Sequence, residues 1–195
     1  MRSRIKLQDG WNFGDKGDRA KRKNRSVPFP YYSFPPIGTA GSHVLILGTM
    51  PGKVSLREQQ YYAHPRNAFW RIVGEILGFN AESTYPDRAS SLSASGTALW
   101  DVLKSCTRES SLDSDIDMDT IVPNDFATFF AGHPHICRIC FNGAKAEDLY
   151  RKYVRPLLAD QAEMEYVRLP STSPANAAIP FAEKVRAWRV IARDT

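Results

Sequence analysis

The sequence predicts an α/β fold, a three-layer α/β/α sandwich with a central four-stranded parallel sheet. Short apolar runs of strand length alternate along the chain with segments whose apolar residues recur every three or four positions, as in amphipathic helices. Strands that alternate with helices pair in parallel and are joined by right-handed crossovers. A chain of 195 residues, 43% of them hydrophobic, can form one domain with a sizeable core.

Positive charge is concentrated near the start of the chain. Residues 1–27 hold nine Lys and Arg against three acidic residues, whereas the rest of the chain holds 17 and 18. Because this first segment is polar and lacks periodicity, we expect a basic, disordered tail over 1–27 and a single domain over 28–195. Such a tail either binds nucleic-acid phosphates through counterion release or serves only to keep the protein in solution.

The first half of the domain is predicted to contain two strands and two helices. An apolar run at 44–47 forms the first strand, and a loop of about twenty residues follows it. Apolar residues at i, i+3, i+4, i+7 and i+8 predict a helix over 69–77, which Gly78 closes at the C′ position. A shorter helix at 87–95 precedes the second strand, at 97–103.

The second half continues the alternation. Asn124 is placed to cap a helix that carries three phenylalanines. A buried third strand follows at 136–141, then a helix at 144–158 and a fourth strand at 165–169. A last helix is marked by apolar residues at helical spacing: Phe181, Val185, Trp188 and Ile191.

The segments that leave the carboxyl ends of these strands are expected to meet at one edge of the sheet. They are GTMPG (48–52), the stretch after Asp101, FNG (141–143) and LPSTSPAN (169–176). Three of the four are rich in Gly, Pro, Ser or Asn, which suits close approach of the backbone to a phosphate or a planar base. Open α/β sheets bind their ligands at this edge, and long loops in compact domains are usually functional. We therefore expect the functional site here.

Other kinds of site find little support. His133, His135, Cys137 and Cys140 have the side chains of a metal site, but a spacing of three within a strand points the two cysteines to opposite faces. We interpret them as structural residues. Walker A and GxGxxG loops are absent. We therefore predict no cofactor, no metal and no membrane span, and we expect a monomer in the cytoplasm.

Five motifs occur in order between about residues 35 and 188: ILGTMPGKVSLREQQYYAHPRNAFW, ALWDVL, SLDSDI, FNGAKA and RLPSTSPANA. In this combination the chain resembles the uracil-DNA glycosylase superfamily, and most closely its hypoxanthine-DNA (deoxyinosine) glycosylase branch. The resemblance implies a monofunctional DNA-repair enzyme that binds double-stranded DNA and flips a deaminated base, hypoxanthine above all, out of the helix. The enzyme would hydrolyse the N-glycosidic bond of that base and leave an abasic site.

The residue at one position of the first motif favours hypoxanthine over uracil as the expected substrate base. Superfamily members that hydrolyse uracil usually carry an Asp or Asn two residues after the first-motif glycine, where it activates or positions water. That position is Met50 here, and the resemblance to the hypoxanthine branch assigns the role to Asn67, later in the same loop. Asn67 also precedes a predicted helix, so it is expected to cap that helix, to take part in catalysis, or both. Its amide can only orient water, because it is hardly basic.

The resemblance implies roles for other residues at this edge. Asn142 is expected to read the base edge through its amide, and Tyr61, Tyr62 and Phe69 are the candidates for stacking on the base. Of these three, Phe69 is the one expected to lie in the core instead, because it starts the apolar face of the helix. The remaining predicted base-pocket residues are Gly48, Thr49, Met50, Pro51, Gly52 and His64. The predicted DNA-binding residues are Arg66, Ser171, Thr172, Ser173, Pro174 and Ala175. The hydroxyl groups among them would donate to phosphates, with the Pro-Ala pair near the vacated stack. The alternative to these functional roles is a structural one, in which Asn142 and the LPSTSP segment only form turns.

Three other functions stay open on the sequence alone. They are a mismatch-type uracil or thymine glycosylase, a non-catalytic DNA-binding module of the same fold, and a hydrolase of free nucleosides. The last is disfavoured by the basic tail and by the loop that resembles a DNA-backbone-binding segment.

Overall fold

The structure is a computed structural model that describes residues 30–158 and 164–192. The tail predicted over 1–27 lies outside the described residues. The strands are β1 (Tyr31–Tyr32), β2 (Val44–Gly48), β3 (Thr97–Asp101), β4 (Leu103–Cys106), β5 (Val122–Pro123), β6 (Arg138–Asn142) and β7 (Glu165–Leu169). The α-helices are α1 (Lys53–Glu58), α2 (Phe69–Leu77), α3 (Tyr85–Ala94), α4 (Phe126–Gly132), α5 (Ala144–Leu149) and α6 (Phe181–Trp188).

Four parallel strands, in the order β3-β2-β6-β7, form the central sheet. Every residue of β2 is buried, as expected for a parallel strand covered on both faces. One helical layer contains α2, which packs against α3 and α6. The other contains α4 and α5, and Phe126 of α4 meets Tyr150, directly after α5, edge to face with ring centroids 5.5 Å apart. The α/β fold with a four-stranded parallel sheet is thus confirmed.

The helix predicted over 69–77 is α2, and its end is set by Gly78 in the left-handed conformation, at φ 77°. Phe69, Ile72 and Val73 are fully buried on its inner face. Burial of side chains of this size stabilises the fold by about 1.5–3 kcal/mol each. The i, i+3, i+4 pattern therefore predicted both the helix and the face that packs on the sheet.

The prediction of a single strand at 97–103 is wrong, because the chain forms two strands there. β3 ends at Asp101 and belongs to the parallel sheet, whereas β4 begins at Leu103 and lies at the centre of a small antiparallel sheet of order β1-β4-β5. The strand-like pattern of TALWDVL (97–103) does not reveal that its two halves are buried in different sheets. The division matters because it places Asp101 at the carboxyl edge of the parallel sheet.

The connections also differ from prediction in two places. The loop predicted over about twenty residues after β2 contains the short helix α1. Asn124 does not cap α4; that role belongs to Asp125, whose carboxylate accepts a hydrogen bond from the Thr128 N–H at 3.0 Å. Asn124 instead donates from Nδ2 to the Asp101 carbonyl at 2.8 Å. It therefore supports the end of β3.

The helix predicted over 144–158 keeps α-helical geometry only through α5. A π-helical turn over Tyr150–Val154 and a 3₁₀ turn over Arg155–Leu157 follow it. Pro156 lies in that last turn, where it has no N–H to donate to a regular helix. The shorter predicted helix also begins earlier than expected, at Tyr85, with Thr84 as its N-cap.

The two cysteines that were considered as part of a metal site differ in their burial. Cys140 is buried within β6, but Cys137 precedes that strand and is exposed, so the prediction of a strand containing both was wrong. Cys137 Sγ donates to the His43 carbonyl at 3.7 Å. Within residues 30–158 and 164–192, no three His, Cys, Asp or Glu residues are grouped as a metal site requires. No helix in the same ranges has the length and apolarity to cross a membrane.

Candidate active site

A cavity of about 350 Å³ opens at the carboxyl edge of the parallel sheet. The loop between β2 and α2, the ends of β3 and β6, and the loop after β7 form its walls. All the predicted base-pocket residues line it, together with Asn67 and residues 171–175. Arg66, the one predicted site residue that does not line the cavity, is exposed nearby in sequence. The fold therefore brings the separated motifs together at the predicted edge.

Gly48 is the position at which the cavity floor is most tightly packed. A Cβ atom there would lie 2.5 Å from Asp101 Oδ1 and 2.8 Å from the Tyr62 hydroxyl oxygen. A side chain at this position would have to displace both groups, so the packing favours glycine. Met50, two residues on, is buried and contributes a thioether that neither accepts a proton from water nor carries charge.

The two tyrosines of the loop occupy different positions. Tyr61 is buried, and its hydroxyl donates to the carbonyls of Phe34 and Pro35 at 3.2 and 3.3 Å. Tyr62 stacks on the fully buried Phe69, with ring centroids 4.0 Å apart and planes inclined by 24°. The expectation that Phe69 lies in the core is confirmed. Tyr62 is thereby supported from one side as a flat surface at the cavity.

Asn67 does make a capping interaction. Its Oδ1 accepts a hydrogen bond from the Phe69 N–H at 3.0 Å, although the residue in the N-cap position of α2 is Ala68. A carbonyl oxygen has two lone pairs, so one acceptor site of the amide stays available. Because Asn67 also lines the cavity, the structure is compatible with both of its predicted roles.

Asn142 joins the end of β6 to the loop after β7. Its Nδ2 donates to Thr172 Oγ1 at 2.9 Å, and its Oδ1 accepts from the Thr172 N–H at 2.9 Å. Thr172 is buried, so it braces the loop from below, while Ser171 and Ser173 are the more exposed hydroxyl residues. One amide hydrogen and one lone pair of Asn142 stay available at the cavity.

The STSPAN loop (171–176) is also held at both ends by α6. Trp188 Nε1 donates to the Pro170 carbonyl at 2.9 Å, and Lys184 Nζ donates to the Asn176 carbonyl at 2.7 Å. Lys184 is buried, and this burial lowers the pKa of its ammonium group. In the middle, the Ala68 N–H donates to the Thr172 carbonyl at 3.1 Å. The loop is therefore preorganised against both α2 and α6.

The model of the uracil DNA glycosylase superfamily matches residues 35–192. The chain belongs to this superfamily. A protein from Methanosarcina acetivorans named hypoxanthine DNA glycosylase is 40% identical over 144 residues, which cover 73% of this chain and 86% of the relative. A protein of the same name from Methanosarcina barkeri is 40% identical over 114 residues, which cover 58% and 71%.

A solved structure supports the same assignment. The solution NMR structure of a proposed uracil DNA glycosylase from Methanosarcina acetivorans matches with a TM-score of 0.68 at 35% identity. The match covers 84% of this chain and 99% of the other. The resemblance to the uracil-DNA glycosylase superfamily is thus confirmed, and the fold of this superfamily member is supported independently of its sequence pattern.

Two acidic residues of this superfamily member line the cavity and were not among the predicted site residues. Asp101 is almost fully buried at the end of β3, and Asp113 lies in the loop after β4. Burial raises the pKa of Asp101 to about 7; the Ser33 hydrogen bond and Arg108 oppose this rise, and the charge of Asp113 adds to it. Burial also raises the pKa of Asp113. For Asp101, the available signal was a charged residue in an otherwise buried strand segment, near the edge where ligands bind.

The segment that carries Asp113 is packed against the first-motif loop. Lys53 donates from its backbone N–H to Ser111 Oγ at 3.0 Å and from Nζ to the Glu109 carbonyl at 2.7 Å. The fully buried Arg108 side chain donates to the Pro51 carbonyl, and its Nη1 lies 3.9 Å from an Asp113 oxygen. These contacts fix the part of the cavity wall that residues 111–113 form.

Proposed function

We propose that this protein is a DNA glycosylase that hydrolyses the N-glycosidic bond of hypoxanthine in double-stranded DNA and leaves an abasic site. The observation that carries the proposal is the 40% identity to hypoxanthine DNA glycosylases, one of which is matched over 86% of its length. The cavity supports it, because Met50 stands where a water-activating Asp or Asn would favour uracil and Asn67 lines the same space.

The target bond is enclosed in a duplex, so the base must leave the stack to reach the cavity. Base flipping costs a few kcal/mol, and less for a deaminated base that pairs poorly. Stacking on an aromatic ring offsets about 1–3 kcal/mol of this cost. Tyr62 is the platform that we propose, since Phe69 supports one face of its ring and Tyr62 lines the cavity. Tyr61 would contribute mainly to the wall, because its hydroxyl is bonded to the backbone.

Asn67 is proposed to hold the attacking water. Its Oδ1 already accepts from the Phe69 N–H, and its second lone pair can accept from a water. This orients a water lone pair toward the sugar but does not remove a proton, so most of the acceleration must come from stabilising the departing base. Asn142 would contribute through its remaining amide hydrogen and lone pair, which can pair with a carbonyl oxygen and an N–H on the base edge.

The STSPAN loop is proposed to bind the DNA backbone. Ser171 and Ser173 retain hydroxyl groups at the surface, and Ala175 is exposed beside Pro174 where the vacated stack would lie. The exposed Arg66 would contact a phosphate outside the cavity. Because α6 and Asn142 hold this loop in place, little ordering would be needed on binding. We also propose that the protein acts as a monomer in the cytoplasm and needs no metal.

The test is a set of duplexes that each contain one hypoxanthine, uracil, xanthine or mismatched thymine, followed by alkaline cleavage at abasic sites. We expect the fastest strand scission from hypoxanthine. Faster scission from uracil or thymine would favour the mismatch-type alternative, and hydrolysis of free deoxyinosine alone would favour a nucleoside hydrolase. Duplex binding with no scission from any substrate would overturn the enzyme assignment.

A further inference from the structure

The floor of the cavity carries a carboxyl group to which the proposed function gives no role. Asp101 ends β3 and lies in register with Gly48 at the end of β2. It is 3% exposed and lines the cavity. Its Oδ2 accepts a hydrogen bond from Ser33 Oγ at 2.8 Å, and its backbone carbonyl accepts one from Asn124 Nδ2 at 2.8 Å. The carboxyl group is therefore held in one orientation.

The other carboxyl oxygen, Oδ1, has no hydrogen-bond partner among the residues that the structure describes. It lies against Gly48, and so does the Tyr62 hydroxyl oxygen, at 2.5 and 2.8 Å from the position of an added Cβ. The Tyr62 hydroxyl is buried and makes no hydrogen bond of regular geometry in the described ranges, and the nearby Asn142 side chain lowers its pKa. Buried polar groups in native proteins almost always have partners. The buried Tyr62 hydroxyl, with Asp101 Oδ1 beside it on the cavity floor, therefore points to a ligand that brings hydrogen-bonding groups to this place.

The surroundings of Asp101 keep a large share of it neutral near pH 7. Burial raises the pKa of its carboxyl group to about 7; the Ser33 hydroxyl and Arg108 lower it, and the charge of Asp113 raises it. The other titratable groups that interact with Asp101 all have pKa values raised by burial and are neutral at this pH: Tyr61, Tyr62, Tyr85 and Cys106. A neutral carboxyl group can donate a proton, whereas a carboxylate only accepts hydrogen bonds.

We propose that Asp101 is the proton donor of base excision, with Oδ1–H bonded to an acceptor atom of the flipped purine. This inference rests on the proposed function. As the C1′–N9 bond breaks, its electron pair moves onto the purine, and a ring nitrogen or the carbonyl oxygen takes the Asp101 proton. The water held by Asn67 adds to C1′, and the proton that it loses returns to the carboxylate through solvent. The products are neutral hypoxanthine and an abasic site.

The neighbouring polar groups are less suited to this step. Met50 has no acidic proton, and the Asn67 amide is neither acidic nor basic enough to transfer one. Burial and the charge of Asp101 raise the pKa of the Tyr62 phenol, so Tyr62 keeps its proton near pH 7. The side chain of Asp113 is 41% exposed and lies 3.9 Å from Arg108, which opposes the rise in its pKa that burial causes.

The pH dependence of single-turnover base release from a deoxyinosine duplex tests this role between pH 5.5 and 9. We expect the wild-type rate to be level in acid and to fall about tenfold per pH unit above the pKa of Asp101, because the donor loses its proton. Asp101→Asn keeps the shape of the side chain but carries no acidic proton. We expect it to be roughly 100-fold slower at pH 6 and to lack this fall, with duplex affinity within about threefold of wild type.

Two further variants test the same role while the carboxyl group stays in place. Ser33→Ala removes a hydrogen bond that stabilises the carboxylate, so the midpoint of the profile should move to higher pH. Asp113→Asn removes a negative charge that raises the Asp101 pKa, so the midpoint should move to lower pH. An active wild type with a flat profile, or an Asp101→Asn variant that keeps the alkaline fall, would overturn the inference alone. A wild type that releases no hypoxanthine at any pH would overturn the proposed function as well.

Discussion

At the scale of single residues, Asn67 combines a structural contact with a proposed catalytic one. We expect Asn67→Ala to reduce single-turnover base release at least about 100-fold, because the water is no longer oriented. The same change removes the hydrogen bond to the Phe69 N–H, so the free energy of unfolding should fall by about 1 kcal/mol. Duplex binding should persist. Gel-shift titration, thermal unfolding and rapid-quench kinetics separate these three quantities.

A matched control for Asn67 exists on the surface. Asn80 Oδ1 accepts a hydrogen bond from the Glu82 N–H at 2.9 Å, which is the same i to i+2 contact in an exposed turn. Asn80→Ala should lower stability by a similar amount and leave base release unchanged. Equal losses of activity in the two variants would show that Asn67 acts only through stability.

Gly48 tests the packing of the cavity floor. An alanine Cβ would come within 2.5 Å of Asp101 Oδ1 and 2.8 Å of the Tyr62 hydroxyl, so we expect Gly48→Ala to displace both groups, lower the unfolding free energy by about 1–3 kcal/mol and impair base release. Gly132 in α4 has nothing within 4 Å of an added Cβ. Gly132→Ala should therefore be neutral or slightly stabilising. Denaturant unfolding of both variants makes the comparison, and a Gly48→Ala protein as stable and active as wild type would contradict the described geometry.

At the scale of elements, α6 acts as a support for the STSPAN loop. We expect Lys184→Met, which keeps the apolar stem but loses the bond to the Asn176 carbonyl, to weaken duplex binding several-fold. Base release from the bound duplex should change less, because the variant leaves Asn67 and Asp101 in place. Fluorescence-anisotropy titration and single-turnover kinetics at saturating enzyme distinguish these effects.

Loss of a positive charge could by itself weaken DNA binding, so a second lysine variant is needed. Lys152 is exposed, lies after α5 and contacts the Tyr153 ring at 4.9 Å. The helix α5 begins at the site edge and runs away from it, so Lys152→Met removes the same charge at a distance. Equal weakening by the two variants would assign the Lys184 effect to charge alone.

Helices and strands with a regular apolar spacing were predicted with the correct bounds, whereas those without one were not. The bounds of α2 and β7 follow from apolar spacing and from Gly78, and both are as predicted. The division at Val102 could not be predicted in this way, because the pattern of residues 97–103 is equally consistent with one long strand or with two strands in different sheets. The short helix α1 was missed for a related reason: it has only six residues, too few for a clear periodicity.

The same limit applied to the site. Glycine, proline, serine and asparagine mark loops at the sheet edge, so the residues that line the cavity were predicted well. Asp101 and Asp113 were missed because a single acidic residue carries no periodic or spacing signal. Only the register of β3 beside β2, together with burial, shows that Asp101 faces Gly48.

At the scale of the whole molecule, Asp101 should link stability to pH. Its pKa is raised from 3.8 to about 7 in the folded state, so the native protein retains a proton that the unfolded chain releases. The stabilisation from this group is complete below about pH 4 and is lost as pH rises through 7, at up to about 1.4 kcal/mol per pH unit. The unfolding free energy of Asp101→Asn relative to wild type should therefore rise between pH 4 and 7. Parallel stability curves from denaturant unfolding would contradict this expectation.

The chain is a member of the uracil DNA glycosylase superfamily, and the proposal that it excises hypoxanthine rests on its similarity to proteins named hypoxanthine DNA glycosylase. The most direct measurement is chromatographic detection of the free base released from a duplex that contains one hypoxanthine. We predict that wild-type protein releases hypoxanthine in a one-to-one ratio with abasic sites and that Asn67→Ala, although it binds the duplex, releases almost none. No free hypoxanthine from the wild type, or equal release by the variant, would contradict the account.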